Sequence, residues 1–294
     1  MSTGPVRPEM NGHGSNSWSR AQLRIDRRSC GYCRVTFDHP PINTITAATV
    51  AELSELVGLI EQDPDLKVVV FDSANPDFYL AHYDIEHDPE RTAALPVGPT
   101  GMHAWLDLLV RLSRAPVVSI ASIRGRARGA GSEFVLACDL RFASRENALL
   151  GQFEVGTGVV PGGGPMARLS RLVGRGRALE ILLVGDDVDG RRAEQYGYVN
   201  RVIADDRLDD EVEAIASRLS RFDHEALSRT KSYVDQVTLP ANSEFPPALA
   251  DFFATFARAP QQAQFARLET LGLNVDSDLE RSLGKRVVEA LPDA

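Results

Sequence analysis

Two glutamates in the middle of the 294-residue chain stand beside segments that could place them for acid–base chemistry. Glu133 follows the small-residue turn Gly129–Gly131, and Glu154 follows the short segment Leu150–Phe153. Glycine leaves backbone N–H groups bare beside a ligand, and the start of a helix adds positive potential there. Such a turn can form an oxyanion hole. Two carboxylates that share one water next to it suit a reaction in which a carbonyl group becomes an enolate.

The elements around Glu133 are predicted from hydrophobic pattern. An apolar strand over Pro116 to Ile123 delivers the glycine turn, and an apolar helix follows it, with Glu133 in the first turn. Each glutamate also has a simpler interpretation. Glu133 could only complement the helix N-terminus, and Glu154 could be a solvated loop acid.

The segments before this strand alternate between strand and helix patterns, which indicates the α/β class. They are a hairpin of Leu23–Arg27 and Cys33–Phe37, a helix capped by Thr46 and ended by Asp63–Pro64, a strand Val68–Phe71, a polar loop from about Ser73 to Pro99, and a helix over His103–Ser113. The later part of the chain is predicted to be mainly helical, with helices starting at Pro165 and covering Arg175–Val184, Leu208–Leu219, Glu225–Val237 and Leu249–Phe256.

The run Arg124 to Asp139 resembles the signature of the crotonase superfamily, the enoyl-CoA hydratases and isomerases. Further blocks resemble that family in the family's order, over roughly Leu23 to Val202, whereas the chain from about Asn242 onward does not. These blocks are His39–Asn43, Val68–Phe71, Ala81–Asp84, Pro161–Gly164 and Ala193–Asn200.

The resemblance implies a crotonase-like spiral of ββα units with a C-terminal helical region. We therefore expect a spiral core over residues 20–207 and a helical oligomerisation region over 208–294. Residues 1–19 are rich in Gly, Ser, Asn and Pro with almost no apolar content, so we expect a disordered tail there. The family implies a homotrimer or homohexamer. The apolar stripe of Leu249, Phe252, Phe253 and Phe256 also favours association between copies.

Matched block by block, the resemblance assigns roles to nine residues. The catalytic pair is Glu133 and Glu154, which in the family's hydratases holds a water for addition to the β-carbon, while the second glutamate protonates the α-carbon. The oxyanion donors are the backbone N–H groups of Tyr83 and Ala130. The residues expected to contact substrate are Ala81, His82, Asp84, Gly129 and Gly131.

These roles imply an enoyl-CoA hydratase-like hydro-lyase of fatty acid metabolism. Its partner is an acyl-CoA thioester, with no cofactor other than the CoA of the substrate. Three alternatives stay open: an isomerase, a CoA-independent C–C hydrolase on the same scaffold, and a non-catalytic assembly subunit. Isomerases of the family usually lack one of the two glutamates.

Several residues depart from the family pattern. His82 stands where glycine is usual and would be strained in a conformation reserved for glycine. Ala130 replaces a glycine, which is a mild change if its φ is negative. Phe153 replaces a common proline, and Tyr83 adds bulk, so we expect an aromatic acyl group or a smaller pocket. The C-terminal basic element that helps many members bind the nucleotide of CoA is not evident.

Composition narrows the class of partner. Acidic residues number 41 against 32 basic ones, a formal charge of −9, which argues against sequence-independent nucleic-acid binding. Arg124, Arg126 and Arg128 could meet a phosphate or form a solvated strand end. No apolar run approaches the roughly 20 residues that span a bilayer, and no secretory signal is evident. We expect a soluble, cytoplasmic protein without membrane partners.

Two motifs could indicate a metal or redox site, but for each of them this interpretation is weaker than a structural one. Cys30 and Cys33 form a C-x-x-C, but no second such motif completes a zinc site, and a hairpin explains the segment better. His82, Asp84 and His87 could bind a metal on a loop, although no further ligand completes the set. No metal is predicted. Lys231 and Tyr233 are expected on a solvated helix face.

Overall fold

Strands of two sheets alternate along the chain. The computed structural model describes residues 16–84 and 89–291, and in this part the strands are β1 (Asn16–Ser19), β2 (Leu23–Ser29), β3 (Tyr32–Phe37), β4 (Val68–Ser73), β5 (Phe78–Leu80), β6 (Val118–Ile123), β7 (Arg126–Arg128), β8 (Leu140–Ser144), β9 (Leu149–Gly151), β10 (Val188–Asp189) and β11 (Arg201–Ile203). The larger sheet has the order β1-β2-β3-β4-β6-β8-β11 and the smaller one β10-β9-β7-β5. Each of the pairs β4/β5, β6/β7 and β8/β9 therefore gives one strand to each sheet.

Helices follow these strand pairs and then continue to the end of the described chain. They are α1 (Ala47–Gln62), α2 (Pro89–Ala93), α3 (Ala104–Arg114), α4 (Ala130–Ala137), α5 (Pro165–Val173), α6 (Arg175–Val184), α7 (Gly190–Tyr196), α8 (Leu208–Leu219), α9 (His224–Thr238), α10 (Pro246–Phe256), α11 (Ala259–Leu271), α12 (Asp278–Arg281) and α13 (Leu283–Arg286). Short 3-10 helices cover Glu154–Thr157, Asp205–Arg207, Asn242–Glu244 and Val287–Ala290. The repeated order of two strands and a helix confirms the predicted spiral.

The core fixes helix α4, which carries Glu133. The neighbouring strands β3, β4 and β6 are parallel, and the residues Val68 to Phe71 are fully buried because both faces of the sheet are covered. On the side of α4, the Phe134 ring packs edge-on against Phe37 and Phe71, with centroids 5.3 and 5.1 Å away. Helix α1 also covers this core and begins at Thr46, whose side chain accepts the Thr49 N–H, as predicted.

Two N-terminal predictions differ from the structure. Residues Asn16–Ser19, placed in the disordered tail, pair with β2 as an antiparallel edge strand; residues 1–15 lie outside the described residues. Strand β5 lies inside the predicted polar loop. Its three residues are too few to show a period, yet they are buried and pair with β7. The Cys30–Cys33 segment forms the hairpin turn, as expected.

The C-terminal helices divide into three groups. Helix α8 packs on the larger sheet through Leu208, Val212 and Ala216, and α9 lies outside it with no fully buried residue. Helices α10 to α13 turn back over the spiral. The last three of these were not predicted. Lys231 of α9 is not on a solvated face, because its Nζ lies 2.7 Å from Asp139 Oδ2.

The arginines near the glycine turn bind groups of this chain. Arg124 pairs with Asp205 at 2.9 Å, and Arg128 is 1% exposed and bidentate to Asp187 at 2.7 Å. Arg126 donates to the main-chain oxygens of Asp77 and Arg281. The expectation of a solvated strand end is therefore wrong. Among the described helices, none combines the length and the apolar character needed to cross a membrane.

Candidate active site

A cavity of about 90 Å³ lies between the start of α4, helix α3 and the C-terminal helices. Both predicted catalytic glutamates and both predicted oxyanion residues line it. Its walls are His82, Tyr83, Thr92, His103, Trp105, Gly129, Ala130, Glu133, Phe153, Glu154, Thr157, Val159, Gly162, Gly163, Leu249, Phe252, Phe253, Phe265, Leu273 and Asn274.

The Glu133 carboxylate is held by two hydrogen-bond donors. Its Oε1 accepts the Gly163 N–H at 2.7 Å, and its Oε2 accepts the Trp105 Nε1–H at 2.9 Å. Burial raises the pKa of Glu133, while these two donors oppose the rise because they stabilise the ionised form. Glu133 is thus an oriented acceptor inside the cavity rather than a surface acid that complements a helix end.

Glu154 has the opposite environment. It opens the 3-10 helix Glu154–Thr157 and is 7% exposed, and its Oε2 has no hydrogen-bond partner among the described residues. Burial, followed by the charge of Glu133, raises the pKa of Glu154 well above its usual range. The alternative of a solvated loop acid is therefore wrong. Because Glu133 accepts two donors while Glu154 Oε2 has no partner among the described residues, the shared proton belongs on Glu154.

The backbone of the glycine turn presents an N–H group to the cavity. Ala130 is the first residue of α4, so its N–H has no carbonyl within the helix to bond, and Gly129 before it has a φ of 49°. Ala130 itself has no positive φ, so its replacement of glycine is unstrained. Gly131 is needed for packing, because a Cβ there would lie 2.1 Å from the Leu80 carbonyl oxygen.

Tyr83, which carries the second predicted donor, lies in an extended segment beside Ile45. Tyr83 and Ile45 form a parallel β-bridge, whose hydrogen bonds are made by the residues on either side of Tyr83. Ile45 N–H donates to His82 O, and Asp84 N–H donates to Ile45 O, each at 2.8 Å. In a parallel bridge the N–H of the central residue is directed to the opposite edge, away from Ile45. The Tyr83 hydroxyl is 3.2 Å from Thr92 Oγ1, so the side chain forms part of the cavity wall.

His82 is unstrained, contrary to the expectation. Among the described non-glycine residues, only Asn43 and Asn274 have positive φ. The His82 ring instead reaches into the C-terminal region, where Nε2 lies 2.7 Å from Glu280 Oε1, and Nδ1 lies 3.2 Å from Tyr83 O. Both ring nitrogens are thus occupied. His87, the third residue of the metal alternative, lies outside the described residues.

The predicted substrate contacts fall into two groups. His82 and Gly129 line the cavity. Ala81, Asp84 and Gly131 are not among the lining residues and support the site from behind. Ala81, for example, accepts the Arg128 N–H through its carbonyl and donates to Asn43 O.

Sequence reasoning missed several residues that shape the site. Trp105 and Gly163 orient Glu133, and Glu280 binds His82. Phe252 and Phe253, predicted as contacts between copies, line the cavity of their own chain, and the prediction about contacts between copies stays a prediction. The residues of the α10 stripe are half-buried, and the cavity that they line could not be inferred from the pattern.

The spiral fold and a cavity with two buried carboxylates beside a helix N-terminus define a class of protein that can stabilise an enolate. The family model of enoyl-CoA hydratase/isomerase matches residues 27–265 of this chain. The chain belongs to that family, the crotonase superfamily, as its sequence resemblance indicated.

Individual relatives agree with this assignment. A crystal structure of an enoyl-CoA hydratase candidate from Streptomyces avermitilis is 41% identical, with a TM-score of 0.88 over 95% of this chain and 100% of that chain. The short-chain-enoyl-CoA hydratase of Clostridium acetobutylicum is 33% identical over 63% of this chain and 70% of that protein. A hydratase candidate from Mycobacterium leprae is 30% identical over 70% of this chain and 79% of that protein.

Proposed function

We propose that this protein is a hydro-lyase that adds water to an α,β-unsaturated acyl-CoA thioester, or removes it. The observation that carries the proposal is the unequal pair of buried carboxylates, Glu133 and Glu154, next to the Ala130 N–H. Two carboxyl groups whose environments favour different protonation states supply a base and an acid together. The proposal agrees with the names of the relatives.

In the hydration direction, ionised Glu133 accepts a proton from a water molecule, and the water oxygen bonds to the β-carbon. Electron density moves through the double bond to the thioester oxygen, which becomes an enolate oxygen. The N–H groups of Tyr83 and Ala130 stabilise this charge. Glu154 then gives its proton to the α-carbon. The proton that Glu133 took from water passes to Glu154, which restores the starting protonation of both glutamates. Dehydration follows the same steps in reverse.

The cavity favours a short acyl group. Its volume of about 90 Å³ is below the roughly 150 Å³ of an apolar cavity that holds benzene. We therefore propose that the acyl group bound beside the carboxylates is short rather than aromatic. Of the two expectations from Tyr83 and Phe153, the smaller pocket is the one that we propose.

A CoA-independent C–C hydrolase is the second candidate, and one observation favours it. Arg124, Arg126 and Arg128 are engaged with carboxylates and carbonyls of this chain, so they do not offer a nucleotide phosphate site. Isomerisation is less well supported, because a single carboxyl group can shuttle its proton and this cavity holds two.

The test is an absorbance screen of enoyl-CoA thioesters of increasing chain length, together with calorimetric titration of CoA. We expect turnover of four-carbon enoyl-CoA to exceed that of long-chain and aryl thioesters. Binding of thioesters without turnover would support the assembly subunit, and no binding at millimolar ligand would support the CoA-independent hydrolase.

We also propose that the protein is a homotrimer or homohexamer. The support comes from α9, where Tyr233, Val234 and Val237 are 69%, 54% and 83% exposed, and not from the α10 stripe on which the sequence prediction depended. Light scattering at micromolar concentration measures the state directly, and a monomer would contradict it. A cytoplasmic location is part of the same proposal.

A further inference from the structure

We propose that His82 and Glu280 form a buried ion pair that positions the oxyanion-hole backbone at Tyr83, so that helix α12 contributes to turnover without touching the substrate. The inference rests on the proposed function for its kinetic part. His82 and Glu280 are positioning residues in this role, and no family block predicted either interaction.

The hydrogen bonds of the His82 ring define its charge. Nε2 lies 2.7 Å from the Glu280 carboxylate, and Nδ1 lies 3.2 Å from the Tyr83 carbonyl oxygen. The Tyr83 carbonyl oxygen can only accept, so Nδ1 carries a proton. Glu280 Oε1 also accepts the Asn274 N–H, and the charge and hydrogen bond of His82 outweigh burial and hold the pKa of Glu280 below its usual value, so Glu280 is ionised and Nε2 carries a proton as well. The ring that satisfies this geometry is the imidazolium, paired with an ionised Glu280.

The pair is enclosed on every side. His82 is 3% exposed and Glu280 is 0% exposed. The Phe153 ring packs edge-on against the His82 ring, with the ring centroids 5.5 Å apart. Glu280 Oε1 also accepts the Asn274 N–H at 2.8 Å. Burying an ion pair has a desolvation cost, which the short Nε2–Oε1 contact and the hydrogen bonds with Asn274 N–H and Tyr83 O offset in part. The other carboxylate oxygen, Glu280 Oε2, is buried and has no hydrogen-bond partner among the described residues.

The backbone contacts connect this pair to the proposed oxyanion hole. The His82 carbonyl accepts the Ile45 N–H, and the same peptide unit ends in the Tyr83 nitrogen. The ring of His82 holds the next carbonyl, that of Tyr83. The two peptide groups on either side of the Tyr83 Cα are therefore fixed. A displacement of about 1 Å in such a donor lowers turnover substantially.

Helix α12 is itself anchored, so the pair links two rigid elements. Arg128 Nη1 donates to the Glu280 carbonyl oxygen at 2.5 Å, while its other nitrogens hold Asp187. Leu279 and Leu283 on either side of Glu280 are fully buried. The charged groups that face the pair are Asp84 on the His82 segment and Arg128 of β7 behind Glu280.

Removing the charge of Glu280 should make turnover depend on the protonation of His82. Burial lowers the pKa of His82, but the charge and hydrogen bond of Glu280 outweigh it and raise the pKa above its ordinary value. In Glu280→Gln, burial still lowers the pKa of His82, and only the weaker hydrogen bond with Tyr83 and the charge of Asp84 still raise it. We therefore expect His82 to lose its proton at neutral pH. Acidification restores the imidazolium.

The experiment measures kcat and KM from pH 6 to pH 9 with a short enoyl-CoA for wild type, Glu280→Gln and the control Glu289→Gln. Glu289 makes an exposed pair with Arg286 in the same C-terminal region. We expect kcat of Glu280→Gln to be about tenfold below wild type at pH 8, less than the loss from removing an oxyanion donor itself. The ratio of the kcat of Glu280→Gln to that of wild type should rise as the pH falls, and KM should be nearly unchanged. The control should behave as wild type.

The double variant His82→Gln/Glu280→Gln covers the case in which Glu280→Gln does not fold. It allows an amide hydrogen bond but no charge, so kcat should stay low at every pH. Wild-type kcat in either variant, or a flat ratio for Glu280→Gln, would overturn the inference.

Histidine-nitrogen NMR tests the ion pair without any substrate. The His82 signals, assigned by their loss in His82→Gln, should show two protonated ring nitrogens in the wild-type protein at pH 8. Neutral ring signals would refute the ion pair even if the enzyme is active. A protonated ring in a protein that turns over no enoyl-CoA would instead count against the proposed function alone.

Discussion

Glu133 accepts two hydrogen bonds from the protein, whereas Glu154 Oε2 in the same cavity accepts none from the residues that the structure describes. The two carboxyl groups are close enough for the charge of Glu133 to raise the pKa of Glu154. The asymmetry comes from the elements that carry them. Glu133 faces the Trp105 indole and the Gly163 backbone, while Glu154 follows Phe153 in an apolar part of the wall.

The first prediction concerns turnover by the two glutamates. Glu133→Gln and Glu154→Gln should each lower kcat by at least about 100-fold, since general acid–base action contributes about 10²–10⁴. The double variant should lose far less than the product of the single losses, because the two groups act on one water. Steady-state kinetics on the best enoyl-CoA measures this. Near-wild-type turnover in either single variant would remove that residue from the mechanism.

The second prediction is that Glu154→Gln is more stable than wild type. The folded-state pKa of Glu154 is raised by burial and by Glu133, so the folded protein binds the proton more tightly than the unfolded chain. Stability due to this group is therefore full at acid pH and is lost as the pH rises from the ordinary carboxyl range through the raised pKa. A neutral glutamine avoids that loss.

The melting temperature of Glu154→Gln should exceed that of wild type by about 2–4 °C for each 1 kcal/mol gained. The difference should be larger at pH 8 than at pH 5. Calorimetry at both pH values measures it. An equal or lower melting temperature at pH 8 would show that Glu154 is not a strained buried acid.

The third prediction concerns Trp105, which holds Glu133 Oε2 through its indole N–H. Trp105→Phe keeps most of the apolar packing and removes this donor. The pKa of Glu133 should rise further, so the acidic limb of the kcat/KM profile moves to higher pH and activity at neutral pH falls. The unfolding free energy should decrease by about 1–3 kcal/mol, the usual effect of leaving a buried acceptor unpaired.

Phe222→Leu is the control for that change, because its ring is 40% exposed and lies outside the cavity. Kinetics across pH and urea denaturation give the two readouts. An unmoved acidic limb in Trp105→Phe would mean that the indole does not stabilise the ionised form of Glu133.

The fourth prediction concerns acyl selectivity. Phe252 lies on α10 in the cavity wall, in contact with the rings of Phe253 and Phe256. Phe252→Ala enlarges the cavity and should raise the kcat/KM ratio of an aryl to a four-carbon enoyl-CoA by about tenfold or more, within the range of hydrophobic pocket contacts. Phe222→Ala, away from the cavity, should leave the ratio unchanged. If both variants keep the wild-type ratio, α10 does not set acyl size.

The sequence predicted most elements whose signals are local. Thr46 caps α1, Pro165 starts α5, and α8 covers Leu208–Leu219 as expected, because caps, proline and apolar period act within a few residues. Strand β5 and helix α2, both inside the predicted polar loop, were missed, as were helices α11 to α13. Strand β5 and helix α2 are too short to show a period, and helices α11 to α13 pack on a partner surface that no local pattern reveals.

The sequence by itself determined the family, the spiral and the two glutamates, because the glycine turn and its neighbours form contiguous motifs. Only the tertiary structure decided the surroundings of these residues. Trp105 donates a hydrogen bond to Glu133, and Glu280 pairs with His82, although the members of each pair are distant in sequence. The protonation of the site therefore depends on contacts that form only in the folded chain. Burial and the charge of a neighbour set a pKa, and both exist only once the chain has folded.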